Sequence, residues 1–474
     1  MMAGTTAGGP CGDARSAFRR HGPDGAPVSA TVRLTLVEGR LTTREYVFDE
    51  RGTCILGRAA DCRPRLPDDE HHRTVSRHHC LLDVNPPDVR IRDFGSLNGT
   101  YVNGRAIGRR AAGVAPDEAE PSPEYDLVDG DLIRLGRTVF RVDVRVDADD
   151  GTLEPALCAR CGREVGAEIG DRTGEYVCAG CRERPAELAE RILAGTKETR
   201  RYRLVRELGR GGMGAVFLAR HEDTGGELAL KLMLPAVAAD PMARRRFLRE
   251  VELTRALRHP HLVPLYDAGT VDGAFWFTSE YCAGGSLDGV LRRRGGRLPE
   301  REAVRLAVQA LDGLAYAHAS GVVHRDLSPH NILLAAGDGP APVARIGDFG
   351  LAKAFDRAGL SGLTRSGTTA GKPWYMPRQQ VLEFRDVTPA VDVWALAACL
   401  YEALTGRFPR RFVRGVDPWQ TVLQVPATPV RRYRPDLRPA LADALDHALT
   451  ERPAIGFGTA GELRAALLAA CPPD

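Results

Sequence analysis

A chain of 474 residues is too long for one ordinary core, and two to four domains are expected. Its 65 basic and 62 acidic residues leave a net charge of +3, which gives no global pull toward nucleic acid or membrane. Eleven cysteines, four clustered and the rest scattered, argue against a disulfide framework and for a reducing, cytoplasmic setting.

Only four of the basic residues are lysine: Lys197, Lys231, Lys353 and Lys372. Arginine serves wherever a generic cation will do, so a retained lysine invites a chemical reason. Residues 1–29, rich in Gly, Ala and Pro and lacking an apolar run, read as a disordered tail without a signal peptide.

From Thr31, apolar and polar residues alternate at Val32, Leu34 and Leu36, as in a half-buried strand. Short runs follow at Tyr46–Phe48, Cys54–Leu56, His79–Val84, Val89–Arg92, Leu132–Leu135 and Val139–Val144, separated by turn residues. This pattern predicts an all-β sandwich over residues 30–147. Arg109–Glu124 reads as a flexible insertion. The loops carry Gly57-Arg58, Ser76-Arg77-His78-His79, Asn98-Gly99-Thr100 and Asn103-Gly104. Two arginines and a hydroxyl on adjacent loops suit a phosphate dianion. The set resembles the forkhead-associated domain, which implies binding of phosphothreonine peptides. The resemblance gives Arg58, Ser76 and Arg77 to the phosphate and Asn98 to the peptide backbone. It places His79 beneath the loops, and Asn103-Gly104 reads as a turn.

Cys158-x-x-Cys161 and Cys178-x-x-Cys181 form two knuckles sixteen residues apart. Four thiolates close a tetrahedral site suited to structural Zn2+, with no position left open for catalysis. A redox dithiol would not explain two pairs. Residues 155–184 cannot build an adequate core of their own, and metal binding would supply the folding energy. The module resembles a zinc ribbon. Residues 185–200 read as a charged helical linker whose Leu188, Ile192 and Leu193 form one apolar stripe.

The last unit, residues 201–474, opens with Gly209-x-Gly211-x-x-Gly214. An extended run, Ala215–Ala219, follows it, so the glycines suit a hairpin lid and not a dinucleotide-binding turn. Next come Leu228-Ala229-Leu230-Lys231, then an amphipathic helix over Arg244–Leu257 with Phe247, Val251 and Leu257 inward. Its Arg244–Arg246 run reads as a solvated face. His324-Arg325-Asp326-Leu327-Ser328-Pro329-His330-Asn331 follows, and then Asp348-Phe349-Gly350. Val391–Leu404, apolar but too short to span a bilayer, reads as a buried helix.

Together these motifs resemble a bacterial serine/threonine protein kinase of the eukaryotic-like type, with an α+β two-lobed fold. The resemblance implies transfer of the ATP γ-phosphate to protein hydroxyls. Asp326 would be the catalytic carboxylate, while Asn331 and Asp348 would hold Mg2+ or Mn2+. Lys231 would hold the α- and β-phosphates and pair with a helix glutamate. Glu250 and Glu252 compete, and Glu250 fits the pattern, nine residues before His259. Adenine would meet the hinge at Glu280 and Cys282, below a small gatekeeper, Ser279. Leu208, Val216, Ala229 and Leu333 would wall the base. Gly209, Gly211 and Gly214 would cover the phosphates. Asp392 would fasten the catalytic loop.

Three positions depart from the family pattern. Ser328 stands where a lysine is usual, and Lys372 stands where a threonine is usual. An exchange of cation and hydroxyl is expected, with Lys372 near the γ-phosphate. Gln379 replaces the acid that ends the activation segment and would pair with a late arginine, here assigned to Arg452. Another acid is expected to compensate. Arg325 would receive an activation-loop phosphate, first at Thr369, otherwise at Thr364, Ser366 or Thr368.

The whole reads as an intracellular kinase acting on protein substrates. Its front domain would read phosphothreonine-containing proteins, including its own phosphorylated segments at Thr369, Thr199 or Thr196. The alternative is a nucleotide-binding pseudokinase scaffold, or phosphopeptide adaptor, with little transfer activity.

Overall fold

The structure is a computed structural model. It describes residues 18–19, 30–111, 122–146, 154–169, 174–195, 201–211, 214–235, 241–337, 339, 341–349, 355, 358, 373–382, 387–413 and 416–472. The front unit is a sandwich of two antiparallel sheets. One runs in the order Glu45–Phe48, Ala30–Glu38, Thr138–Val146, Leu132–Leu135, Thr100–Val102, Arg105–Gly108. The other runs Gly52–Leu56, Cys80–Asn85, Asp88–Asp93, Tyr125–Leu127. Alternation puts Val32, Leu34, Leu56, Leu82, Ile91 and Phe140 into the shared core. Asn103 and Gly104, at φ 50° and 81°, make the expected tight turn between Thr100–Val102 and Arg105–Gly108.

The second sheet is apolar on both faces. In Cys54-Ile55-Leu56 and Cys80-Leu81-Leu82, the outer residues face the core and the middle ones face away. Ile55 and Leu81 are in register, with Phe94 nearby, and all three pack against Met376, Val381, Trp419 and Val422 of the last unit. Each such buried side chain removes about 2 kcal/mol worth of apolar surface from water.

The tail departs from a purely disordered reading at one point. Phe18–Arg19 pairs antiparallel with Glu154–Pro155. Within the predicted insertion, Glu124 forms ion pairs with Arg90 and Arg92, at 3.6 and 3.7 Å.

The four-cysteine module leads into helix Pro185–Gly195, as the sequence predicts. Its stripe of Leu188, Ala189, Ile192 and Leu193 is buried against the outer face of a five-stranded antiparallel sheet. That sheet runs Tyr202–Gly211, Gly214–His221, Glu227–Met233, Ala274–Glu280, Leu265–Val271. Helix Pro241–Arg255 packs on the other face through Phe247 and Val251. Its arginines are more than a solvated face. Arg244 pairs with Glu175 of the cysteine module, and Arg246 lies 3.3 Å from Glu50 of the sandwich.

The larger lobe is helical. Glu300–Ala319, Ala390–Thr405, Pro439–Ala448 and Ala460–Ala470 enclose one core, beside the hairpin Ile332–Ala335/Val343–Ile346. Ala390–Thr405 is buried on nearly every side. Among the described residues, no helix is long and apolar enough to cross a membrane.

Candidate functional site

Strand alternation builds the roof of the cleft between the lobes. Ala215, Phe217, Leu228 and Leu230 face the linker helix, so Val216, Ala229 and Lys231 take the opposite face. Register sets Lys231 beside Val216 and Phe277, and Ala229 beside Ser279. Gly209 pairs with Val216 and Gly211 with Gly214, with half-buried Leu208 at the bulge between Glu207 and Gly209. Gly214 has φ +148°, and a Cβ there would lie 1.8 Å from the Leu232 carbonyl oxygen, so only glycine fits. Beside Ser279, a cavity of about 40 Å³ is lined by Phe277, Leu333, Asp348 and Phe349, consistent with a small gatekeeper. At the hinge, the Glu280 N–H donates to the Pro264 carbonyl at 3.2 Å. Burial, reinforced by the Glu280 charge, pushes the Cys282 thiol up to about 11, which suits a spacer and not a reactive thiol.

Below the roof, helix Ala390–Thr405 fixes the loop that carries Asp326. Asp392 accepts from the His324 N–H at 2.7 Å and the Arg325 N–H at 2.8 Å, and its Oδ2 lies 2.8 Å from His318 Nε2. His324 is fully buried, edge-on to Phe349 at 4.8 Å, and its Nδ1 accepts from the Asp326 N–H at 3.2 Å. Asn331 Nδ2 donates to the Asp326 carbonyl at 2.7 Å. Arg325 and Asp348 both hold left-handed backbone, φ 66° and 56°, which costs a side-chain-bearing residue energy and often marks functional loops.

The expected Lys231–Glu250 pair is not formed. Lys231 Nζ donates to Asp348 Oδ2 at 2.8 Å, and Glu250 is exposed. The physical reason lies under helix Pro241–Arg255. Phe355 packs edge-on against Phe247 at 6.0 Å and Phe275 at 5.6 Å, filling the space between helix and sheet. Glu250 is left on the solvent side, and the nearest acid to Lys231 is Asp348.

The expected pairing of Arg452 is also corrected. Arg452 donates to the Leu423 carbonyl at 3.3 Å. The buried arginine is Arg410, which pairs with Glu451, donates to the Met376 carbonyl at 3.0 Å and lies 4.5 Å over Trp394. Glu451 also accepts from the Arg378 N–H, and Gln379 Nε2 donates to the Glu451 carbonyl at 2.9 Å. Glu451 is the compensating acid, in a loop where no sequence pattern singles it out. Lys372, Gly350, Thr364, Ser366, Thr368, Thr369, Thr196 and Thr199 lie outside the described residues. Ser328 is fully buried.

In the sandwich, close loop contact gathers the phosphate-binding candidates. The Arg58 N–H donates to the Ser76 carbonyl at 3.2 Å, and the Ala59 N–H donates to the Arg77 carbonyl at 2.9 Å. A Cβ on Gly57 would lie 2.2 Å from the Arg77 carbonyl oxygen. Arg77 is exposed and Ser76 half-buried. Buried His79 braces the loop, accepting from the Ser76 N–H at 2.9 Å. Asn98 Nδ2 donates to the Thr74 carbonyl at 2.7 Å. Asp68, which sequence reasoning missed, pairs with the Arg58 guanidinium.

The four sulfurs of Cys158, Cys161, Cys178 and Cys181 lie within 4.8 Å of one another. The Cys161–Cys178 separation is 3.8 Å. A tetrahedron with metal–sulfur bonds of about 2.3 Å has edges of about 3.8 Å, so the set fits zinc. The Cys178 N–H points at the Cys158 sulfur, 3.4 Å away.

Comparison with known proteins matches two parts of the chain. Residues 54–136 match the FHA domain and residues 202–448 match the protein kinase domain. Serine/threonine-protein kinase PknH of Mycobacterium bovis is 36% identical over 262 residues, covering 55% of this chain and 42% of the relative. PknD of Mycobacterium tuberculosis is 37% identical over 263 residues, covering 55% and 38%. The chain thus spans less than half the length of these curated relatives. The crystal structure of the Mycobacterium tuberculosis PknI kinase domain double mutant is similar at 29% identity and TM-score 0.46, over 57% of this chain and 95% of that one. With the kinase match spanning more than half of its length, the chain belongs to the protein kinase family.

Proposed function

We propose that the chain is an ATP-dependent serine/threonine protein kinase whose front domain binds phosphothreonine peptides and whose four-cysteine module holds structural zinc. The observation that carries the reading is the convergence of Lys231, Asp348, Asn331 and Asp326 in one cleft, linked by the Lys231–Asp348 and Asn331–Asp326 hydrogen bonds.

In this reading the carboxylate of Asp348 and the amide oxygen of Asn331 are hard donors suited to Mg2+ or Mn2+. The metal would neutralise phosphate charge when bound. Asp326 accepts the proton of a substrate Ser or Thr hydroxyl as its oxygen bonds to the γ-phosphorus. The bond from that phosphorus to the β–γ bridging oxygen breaks, and ADP leaves. Lys231 holds the α- and β-phosphates. The glycine hairpin Gly209–Gly214 excludes water above them, and Arg325 receives an activation-loop phosphate. Positioning and charge neutralisation carry most of the rate. Lys372 supplies the cation that Ser328 lacks. Ser328→Lys and Lys372→Thr should each impair transfer and together restore it; additive losses would reject the exchange.

Arg58, Ser76 and Arg77 together offer two cations and a hydroxyl to a phosphate dianion, and Asp68 is the counter-charge that phosphate would displace from Arg58. The deciding experiment is intact mass after incubation with Mg-ATP, beside Asp348→Asn. Added phosphate in the first and none in the second is expected. No phosphate on either, with nucleotide still raising the melting temperature, would make the chain a scaffold.

A further inference from the structure

The outer face of the second sandwich sheet has a composition that a free domain does not need. Ile55 and Leu81 sit in one row across the strands, and the next residue in that row is Arg92. The adjacent row, Thr53, Asp83 and Arg90, is polar. The apolar patch is therefore confined to the area covered by the kinase domain. Exposed, it would be an adhesive surface.

The cover is specific as well as apolar. Arg92 Nε lies 3.1 Å from Asp417 Oδ2, with both side chains buried at 9% and 2% exposure. Asp417 Oδ1 accepts from the Trp419 and Gln420 N–H groups at 2.8 and 3.3 Å, starting the helix whose Trp419 and Val422 meet Leu81 and Phe94. A second polar lock joins Arg378 to Asp61 and brings its Nη2 to 3.3 Å from His78 Nε2. A buried ion pair stabilises little by itself, but removing one partner leaves a costly uncompensated charge.

What lies underneath gives the contact its meaning. Arg378 opens the short helix Arg378–Leu382, which follows the activation segment. Gln380 on this helix donates to the Arg325 carbonyl at 2.6 Å, and Arg325 precedes Asp326. The front domain thus rests on an element one hydrogen bond from the loop that carries Asp326. The nucleotide cleft between the lobes is not lined by any sandwich residue that the structure places there.

We propose that the outer face formed by Ile55, Leu81, Phe94 and Arg92 is a docking surface for this chain's own kinase domain. Docked, the front domain caps the protein-substrate side of the large lobe and leaves ATP access untouched. The inference rests on the kinase reading and adds a regulated surface to it. The phosphate-binding loop is continuous with the lock, because Arg77 precedes His78 and its carbonyl accepts from Cys62 Sγ at 3.2 Å.

The test uses the full chain. Leu81→Asp places a charge on the outer face, away from the sandwich core. Asp61→Arg sets two cations against each other, and adding Arg378→Asp restores opposite charges. Hydrodynamic radius reads docking, and phosphorylation of dephosphorylated casein reads substrate access. Leu81→Asp and Asp61→Arg are expected to enlarge the particle and speed casein phosphorylation on the order of tenfold, with KM for ATP unchanged. The Asp61→Arg/Arg378→Asp chain is expected to return toward both original values. An unchanged radius in both opened variants would overturn the docking. An enlarged particle with an unchanged or slower casein rate would overturn the cap and leave the kinase reading standing. No transfer from wild type or any variant would overturn the kinase reading and the cap together, while the radius would still report the contact.

Discussion

Arg410 and Glu451 meet as an ion pair with side chains 0% and 8% exposed, and this pair carries the charge balance that Gln379 cannot supply. Arg410 Nη1 and Nε also donate to the Met376 and Val425 carbonyls at 3.0 and 2.9 Å, so each guanidinium nitrogen has a partner. Removing one partner strands a buried charge, at about 3–5 kcal/mol. Glu451→Ala should lower chain stability by that amount in chemical denaturation. Arg452→Ala should change it by less than about 1 kcal/mol, because among the described residues its donor reaches a carbonyl and no acid. Equal effects of the two would restore Arg452 as the structural arginine.

The Lys231–Asp348 bond separates two roles that sequence motifs merge. Without nucleotide, Glu250 is exposed and contributes no ion pair to the cleft. Glu250→Gln should therefore leave the nucleotide-free melting temperature within about 1 °C of wild type, as surface substitutions do. With Mg-ATP, Asp348 is needed as a metal ligand, and Lys231 must take another acid. The same variant should then lose transfer activity on the order of tenfold or more, with a raised KM for ATP. Full activity in Glu250→Gln would show that Lys231 keeps Asp348 throughout turnover.

The legibility of the chain divides along one physical line. Strand and helix patterns depend on local periodicity, so the alternation at Val32-Leu34-Leu36 and the stripe Leu188-Ile192-Leu193 could be read without coordinates. Catalytic candidates were legible because phosphoryl transfer constrains spacing, as in Asp326 to Asn331. What stayed hidden depends on which side chain fills a gap between distant segments. Phe355 packs under helix Pro241–Arg255 while Glu250 lies exposed, and nothing in the sequence near Phe355 announces that packing. Glu451 was invisible for the same reason, since its partner Arg410 lies 41 positions away. The doubled apolar faces at Cys54-Ile55-Leu56 and Cys80-Leu81-Leu82 were visible as runs, but their partner was not.

The docked contact should respond to pH through His78. Burial, assisted by the charges of Arg77 and Arg452, holds this imidazole down to about 4, against an ordinary 6.5. Asp61 Oδ1 and Arg378 Nη2 also face it, at 3.0 and 3.3 Å. With a depressed value, His78 binds a proton more readily in the undocked form. Docking is therefore expected to weaken as pH falls from 6.5 toward 4. Hydrodynamic radius should grow across that window, and His78→Gln should flatten the profile. A radius that instead grows as pH rises would contradict the sign.

Metal removal should act on the small lobe and spare the large one. The four-cysteine module is stitched to the kinase sheet at several points. Arg182 donates to the Pro235 carbonyl at 3.4 Å, and Arg210, within the glycine hairpin, donates to the Glu183 carbonyl at 3.0 Å. Glu175 pairs with Arg244 at the start of helix Pro241–Arg255, and Arg191 of the linker helix lies 2.6 Å from Asp272. None of the module's described residues belongs to the core of the large lobe. The thiolate set would supply on the order of 10 kcal/mol of the module's folding energy, while the module's own buried cluster has only eight residues, three of them the cysteines Cys158, Cys178 and Cys181. Cys158→Ser with Cys178→Ser, or chelation with phenanthroline, should lower the bound zinc found by elemental analysis. The small lobe should then melt earlier as a separate transition, and nucleotide affinity should fall with it, because the hairpin above the phosphates loses its anchor at Arg210. The large-lobe transition should stay in place. Unchanged melting and nucleotide affinity after zinc loss would mean that the module only spaces the sandwich from the kinase domain.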